Sequence, residues 1–178
     1  MQIISVINKK TKGYDYLCKD KIKEIAANMF TLNELSQCLN QHNINYEIIA
    51  HDKPIISKMD AEGLFDIEKA APVFILKTET YLFAFVLSSK RERIDFKLLR
   101  NALGCSKLSF ADKKEVLDAT GYEVGSIPLI GHGLPCMLDS QLMNYDYIYG
   151  GTGDSFHTLK ISPADVIKLN NNAKTIKY

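Results

Sequence analysis

Backbone amides in a glycine-dense stretch are the groups in this chain best suited to chemistry. Seven of the ten glycines fall between Gly121 and Gly153. Glycine tolerates positive φ and the close approach of another group, so loops built from it can expose several N–H donors together. Such donors bind a carbonyl or stabilise an oxyanion without a charged side chain. The pattern predicts a site for carbonyl chemistry where these loops flank a short strand at residues 135–138.

Imidazole groups are the second candidate. His132 stands between Gly131 and Gly133, a setting untypical of a core residue, and an imidazole suits acid–base work near neutral pH. A loop histidine without a chemical role explains the same pattern equally well. His51 opens a loop after a predicted strand and His157 lies within one, so a structural role is the first interpretation of both.

The spacing of the remaining reactive residues does not support metal, nucleotide or nucleophile chemistry. The four cysteines and four histidines show no C-x-x-C pair and no metal-ligand pattern, so we expect no zinc site and no cofactor. The GGTGDS segment lacks the G-x-G-x-x-G order and the following helix of a phosphate loop. Ser126 lies in GSIP rather than G-x-S-x-G. Cys136 lies in an apolar strand, where a buried thiol is a simpler interpretation than a nucleophile partnered by His132.

The length, composition and charge of the chain are those of an ordinary globular protein. The chain has 178 residues, of which 46% are hydrophobic and 24% charged, as in a single globular domain. Its formal net charge of +1 predicts no overall attraction to nucleic acid. The basic run at 90–93 could form a local positive patch, with an ordinary solvated face as the alternative. No apolar run approaches the ~20 residues that span a bilayer. We therefore expect a cytoplasmic protein with no membrane partner.

Capping signals and hydrophobic periodicity predict alternating helices and strands. Thr31 with Glu34, and Asp112 with Glu115, match the capping box that begins a helix. The apolar runs VFILK and YLFAFVL predict a hairpin at the centre of a sheet. Further helices are predicted over residues 19–29, 57–64, 95–103 and 162–169, and strands over 46–50, 107–110, 147–150 and 156–161, followed by a fraying tail. This order is typical of a mixed α/β or α+β domain.

The order of these signals resembles the YbaK/prolyl-tRNA-synthetase-associated family of aminoacyl-tRNA editing domains. The resemblance runs from about residue 31 to 169 and is carried, in order, by YEIIAHDKP, AAPVFILKT, IDFKLLRNALG, KLSFADKKEVLDATGYEVGSIPLIG, LPCMLDSQL and IYGGTGDSFHTLKISPADVIKL. It implies a mixed α+β domain over residues 31–178 with a curved mixed central sheet packed with helices. Residues 1–30 are then an N-terminal extension packed on that domain.

The resemblance also implies an activity and a site. The family hydrolyses the ester joining a wrong amino acid to the 3′ end of a tRNA, so we expect a free-standing deacylase acting in trans, with an aminoacyl-tRNA synthetase as a second candidate partner. The family's carbonyl-holding loop corresponds to Gly125, Ser126, Ile127 and Pro128. We expect His132 and Asp139 beside this loop, and Gly150, Gly151 and Gly153 opposite it. His51, Val73 and Ile75 are the remaining candidates for substrate binding.

One residue of the family pattern is missing. Several members carry a functional lysine at the start of the first hairpin strand, where this chain has Pro72 or Val73. Lys77 stands at the other end of that strand, ~17 Å away along five extended residues, so the lysine's role is not transferred to it. A non-catalytic module that binds aminoacyl-tRNA or an amino acid is therefore the alternative function. A hydrolase of small esters unrelated to tRNA is a third.

Overall fold

The structure is a computed structural model and describes residues 30–170 and 172–178. Its helices are α1 (Leu32–Gln41), α2 (Phe96–Leu103), α3 (Lys113–Thr120) and α4 (Pro163–Leu169). Its strands are β1 (Tyr46–Ala50), β2 (Val73–Thr78), β3 (Leu82–Val86), β4 (Leu108–Phe110), β5 (Cys136–Asp139), β6 (Ile148–Gly151), β7 (His157–Ile161) and β8 (Lys174–Ile176). Short 3-10 turns cover Lys58–Ala61, Ile67–Lys69 and Ser140–Asn144.

The strands form two sheets that meet at the start of β2. One has the order β4-β2-β3-β5-β8, with β4, β2 and β3 antiparallel and with β5 and β8 added in parallel. The other is antiparallel, with the order β1-β7-β6. The Ala71 N–H donates to the Tyr149 carbonyl at 2.7 Å, so the chain entering β2 lies along β6. The predicted mixed α+β class is confirmed.

Local signals set most element boundaries. The capping boxes of Thr31 with Glu34 and Asp112 with Glu115 both form, so α1 and α3 begin where the sequence predicts. The Ser162 side chain accepts the hydrogen bond that begins α4. The helix predicted over residues 57–64 is wrong, because only one 3-10 turn forms there. The helix predicted over 19–29 lies outside the described residues.

The C-terminal segment corrects a second prediction. Residues 174–176 were expected to fray, but they form β8, which pairs in parallel with β5. The side chain of Tyr178 then packs edge-on against Phe85, with ring centroids 5.7 Å apart. Backbone pairing and one aromatic contact hold a strand whose own side chains are mostly polar, which is why its pattern did not predict it.

The central hairpin is buried on both faces. Ile75 and Ala84 lie in the larger core cluster, with side chains from α1, α3, α4 and the second sheet. Leu76 and Phe83 face the other side, where Leu99 of α2 completes a smaller cluster. This burial is the reason both runs are almost continuously apolar. Among the described residues, no helix is long and apolar enough to cross a membrane.

Candidate active site

The loop between α3 and β5 turns sharply at Gly125. Gly125 is exposed and has φ of +95°, a conformation that side chains strongly disfavour. The Ser126 N–H closes the turn by donating to the Glu123 carbonyl at 3.0 Å. A Cβ atom at Gly125 would lie 2.9 Å from the side chain of Ile56, which comes from the segment after β1. The position therefore requires glycine mainly for its backbone angle.

Two N–H groups of this loop remain available as donors. Within the part of the chain that the structure describes, the amides of Gly125 and Ile127 donate to no backbone carbonyl. Pro128 has no N–H and restricts Ile127 to an extended conformation. Gly125 faces solvent while Ile127 is 5% exposed, so the pair spans the boundary between water and the core. Donors at such a boundary interact more strongly with a carbonyl oxygen than donors in water do.

The end of β6 packs against this loop. The Leu129 N–H donates to the Gly151 carbonyl at 2.9 Å. A Cβ atom at Gly151 would lie 3.2 Å from the Ile127 carbonyl carbon and closer still to its oxygen. A Cβ atom at Gly150 would meet the Leu129 side chain on the opposite face. The structure thus brings Gly150 and Gly151 against the loop, as strand residues rather than as a second loop.

Gly153 packs against the ring of Tyr122. It has φ of +96°, and a Cβ atom there would lie 2.6 Å from the Tyr122 ring. The Tyr122 hydroxyl in turn accepts from the Phe30 N–H at 2.9 Å. Glycine is needed here because the β6–β7 turn packs directly on Tyr122, which follows α3 and also contacts the residue before α1. A direct role in binding stays a prediction.

His132 is a buried residue, and the expectation that its glycine neighbours keep it out of the core is wrong. The ring is 0% exposed, its Nδ1 accepts from the Leu134 N–H at 3.2 Å, and its Nε2 has no partner among the described residues. Burial lowers the pKa of His132 to about 4, so the ring is neutral at pH 7. Gly131 and Gly133, with φ of +87° and +74°, turn the chain so that the ring points inward. The ring is therefore closed off from solvent, and a role for it in substrate binding stays a prediction.

Asp139 is likewise buried, with its carboxylate already occupied. It is 0% exposed at the end of β5, and both of its oxygens face the Arg91 guanidinium, with Nη2 3.2 Å from Oδ1. Oδ1 also accepts from the Gln141 N–H at 3.1 Å. Arg91, which the sequence placed in an exposed basic run, is thus largely taken up by an internal ion pair. The structure thus shows Asp139 in an internal ion pair, and its predicted role beside the loop stays a prediction.

His51 is connected to the loop through β7. Its Nε2 lies 2.8 Å from the Thr158 hydroxyl, and Thr158 pairs with Gly151 in the β6–β7 register. The ring is partly exposed, with its centroid 6.4 Å from that of Phe65. Burial, and then the charge of His157, lower the pKa of His51. The structure brings His51 to the same end of the second sheet as Gly151.

The apolar candidates lie in one cluster. Ile75 and Ile127 belong to the larger core, and half-buried Val73 packs against it. Ile75 is only 3% exposed and is a core residue. The Lys77 ammonium is bound to both oxygens of Glu115, at 2.9 and 2.7 Å, at the far end of β2. Because Lys77 is paired with Glu115 at that end of the strand, we do not assign the role of the family lysine to Lys77.

Sequence reasoning missed a lysine close to the start of β2. Lys69 ends the 3-10 turn that precedes β2, and its Nζ lies 4.2 Å from the centroid of the Tyr147 ring. The available signal was the segment EKAAP, where a lysine precedes the strand by a few residues. Tyr147 lies far along the chain, so no local pattern could have paired the two.

Comparison with known proteins gives the family and the fold. The family model described as "Aminoacyl-tRNA editing domain" matches residues 55–169. The hypothetical protein APE2540 has a similar structure, with a TM-score of 0.69 at 19% identity over 80% of this chain and 97% of its own. A candidate trans-editing enzyme for prolyl tRNA synthetase has a TM-score of 0.68 at 19% identity, over 84% of this chain and 99% of its own. No curated protein gives a significant sequence match.

Proposed function

The chain belongs to the aminoacyl-tRNA editing domain family, and from that premise we propose that it hydrolyses the ester of mischarged tRNA in trans. The observation that carries the proposal is that the N–H groups of Gly125 and Ile127 donate to no backbone carbonyl among the described residues, in a loop whose shape depends on glycine. The fold shared with a candidate trans-editing enzyme supports action on a separately bound tRNA.

In the proposed reaction, the two N–H groups receive the carbonyl oxygen of the aminoacyl ester. Water attacks the carbonyl carbon, the carbonyl oxygen becomes an oxyanion, and the amides stabilise that charge. The bond to the ribose oxygen then breaks, one proton of the water goes to the ribose oxygen and the other to solvent, and the free amino acid departs as its carboxylate. One lost donor in such a site reduces kcat by about 10²–10³.

The surrounding contacts fix the geometry of the donors. The packing of the Ile127 carbonyl against Gly151 and the bond from Leu129 to Gly151 hold the loop on β6. His51 stands at the same end of the sheet, where it can contact the substrate, and burial lowers the pKa of its ring. The side chain of the amino acid would lie toward Val73 and the apolar cluster behind Ile127.

The deciding experiment is release of labelled amino acid from a panel of mischarged tRNAs, with Gly125→Val as the test variant. The matched control is Gly104→Val at the end of α2, where φ is also positive, at +68°, and no atom of the described residues lies within 4 Å of an added Cβ. We expect Gly125→Val to abolish turnover and Gly104→Val to lose stability while retaining turnover. Equal turnover by both folded variants would contradict the proposal.

A binding module without catalysis is the second candidate. It is favoured by the burial of both ionisable side chains predicted beside the loop, His132 and Asp139. Affinity for aminoacyl-tRNA without turnover of any substrate in the panel would identify it. Equal turnover of a simple amino-acid ester and of an aminoacyl-tRNA would instead indicate a general esterase.

A further inference from the structure

Two lysines converge on one tyrosine ring on the outer face of the second sheet. The Nζ atoms of Lys69 and Lys160 lie 4.2 and 4.6 Å from the centroid of Tyr147. Lys69 comes from the turn before β2, Lys160 from β7, and Tyr147 directly precedes β6. We call these three residues the lysine clamp. Cations over an aromatic ring are held by its quadrupole, so both ammonium groups have a fixed position.

An aromatic stack supports the clamp from below. Tyr147 packs edge-on against Tyr149, with centroids 5.5 Å apart, and Tyr149 stacks on Phe65 at 4.5 Å. Lys160 pairs with Tyr149 in the register of β6 and β7, so these side chains share one face of the sheet. The opposite face carries Ile148 and other core residues. The clamp therefore lies on the outer side of the sheet, on a rigid base.

The carboxylates beside the clamp leave it able to bind an anion. Lys160 contacts Glu47 at 3.0 Å and Lys69 contacts Asp66 at 3.7 Å. The two carboxylate side chains are 58% and 49% exposed, and exposed ion pairs contribute little free energy. A phosphate can take the place of either carboxylate, since it offers more charge and more acceptor oxygens. Its contact with Tyr147 raises the pKa of Lys69, so the lysine stays charged.

The strand β6 connects the clamp to the proposed catalytic loop. Gly151 lies four positions after Tyr147, which is ~14 Å along an antiparallel strand. Gly151 packs on Ile127. At a rise of ~3.4 Å for each stacked nucleotide, this distance is covered by at most about four nucleotides. A single strand that carries the ester at the loop and follows β6 would place a phosphate at the clamp a few nucleotides upstream.

We propose that Lys69, Tyr147 and Lys160 bind the phosphate backbone of the single-stranded 3′ end of the tRNA substrate. This rests on the proposed function and adds the surface that places the substrate. The formal net charge of +1 makes such a local site necessary, because the whole chain exerts no general attraction on RNA.

The test measures binding of uncharged tRNA to the full chain as a function of salt, with the double variant Lys69→Gln, Lys160→Gln. Loss of two single-strand phosphate contacts lowers the slope of log K against log salt by about 1.4. That slope corresponds to binding weaker by about 60-fold at ~50 mM salt and by about tenfold at ~200 mM. Lys114→Gln is the control, because Lys114 is an exposed lysine paired with Asp118 on α3, outside the clamp.

Three results separate the possible explanations. Thermal melting first verifies that the double variant is folded. The proposal holds if the double variant then loses this affinity while Lys114→Gln does not. Removal of the 3′ single strand from the tRNA must also abolish the difference between them. The proposal is overturned if the wild type binds no tRNA, if both variants lose affinity equally, or if the loss persists with the truncated tRNA. Because the assay uses uncharged tRNA, it measures binding whether or not the protein hydrolyses the ester, so the two proposals can fail separately.

Discussion

Gly151→Ala is the substitution that most directly tests the geometry of the loop. The φ of Gly151 is not in the region reserved for glycine, so the cost of the change is steric. The added Cβ would press on the Ile127 carbonyl, and that group must move by roughly 1 Å to reach an ordinary contact of ~3.5 Å. The Ile127 N–H belongs to the same short segment and moves with it. We expect kcat/KM to fall by about 10²-fold, because catalytic donors must keep their positions to a fraction of an ångström.

Gly150→Ala provides the matched control one residue away. Its added Cβ would meet the Leu129 side chain inside the core rather than the backbone of the loop. Overpacking of this kind costs about 1–3 kcal/mol of unfolding free energy. We therefore expect Gly150→Ala to lose stability and to retain most of its activity. The change at Gly151 should show the larger loss of kcat/KM for a similar loss of stability.

The assay combines single-turnover deacylation of a susceptible aminoacyl-tRNA with urea unfolding of each variant. Single turnover separates the chemical step from product release. If Gly151→Ala keeps the wild-type rate while its stability falls as in Gly150→Ala, then the contact is packing alone. The Ile127 amide would then have no part in the reaction, and the reasoning from the loop geometry would be refuted.

Three further outcomes follow from buried groups. Asp139→Asn leaves the partly exposed Arg91 without its charged partner and should reduce the unfolding free energy by about 2–4 kcal/mol in urea. The pKa of His132 is about 4 when folded and higher when unfolded, so its contribution to stability is present above pH ~6.5 and is lost as the pH falls toward 4. His132→Asn should flatten that part of the pH–stability curve, and an unchanged curve would contradict the assignment. Burial raises the pKa of the Cys136 thiol to about 12, so native protein should show no reaction of Cys136 with a thiol reagent while Cys105 reacts.

Local signals predicted much of the fold. The capping boxes at Thr31 and Asp112 and the apolar hairpin of β2 and β3 depend on residues near one another in sequence, and all three form as predicted. The strand β8 could not be predicted in this way, since its pairing with β5 is a long-range backbone contact. Propensity therefore gave the wrong answer for a polar segment that tertiary contacts hold in place.

The candidate site was predicted less completely than the fold. The glycine clusters indicated that two loops approach each other, because close backbone contact favours glycine. The family resemblance implied the loop at Gly125 as the site. The burial of His132 depends on the direction in which two positive-φ glycines turn the chain, and a sequence does not give that direction. The convergence of Lys69 and Tyr147 depends on the meeting of two sheets, which no local pattern encodes.

The pairing of β1 with β7 bears on how the domain assembles. Tyr46 lies opposite Ile161 in this register, so the strand nearest the start of the domain joins one close to its end. Closing such a long loop is slow, because its entropic cost precedes any stabilising contact. The β6–β7 hairpin, on which the Gly125 loop rests, pairs locally, and that closure adds β1 to its free edge. During synthesis on the ribosome, α1, β1 and the β2–β3 hairpin therefore emerge well before β7, the strand with which β1 pairs.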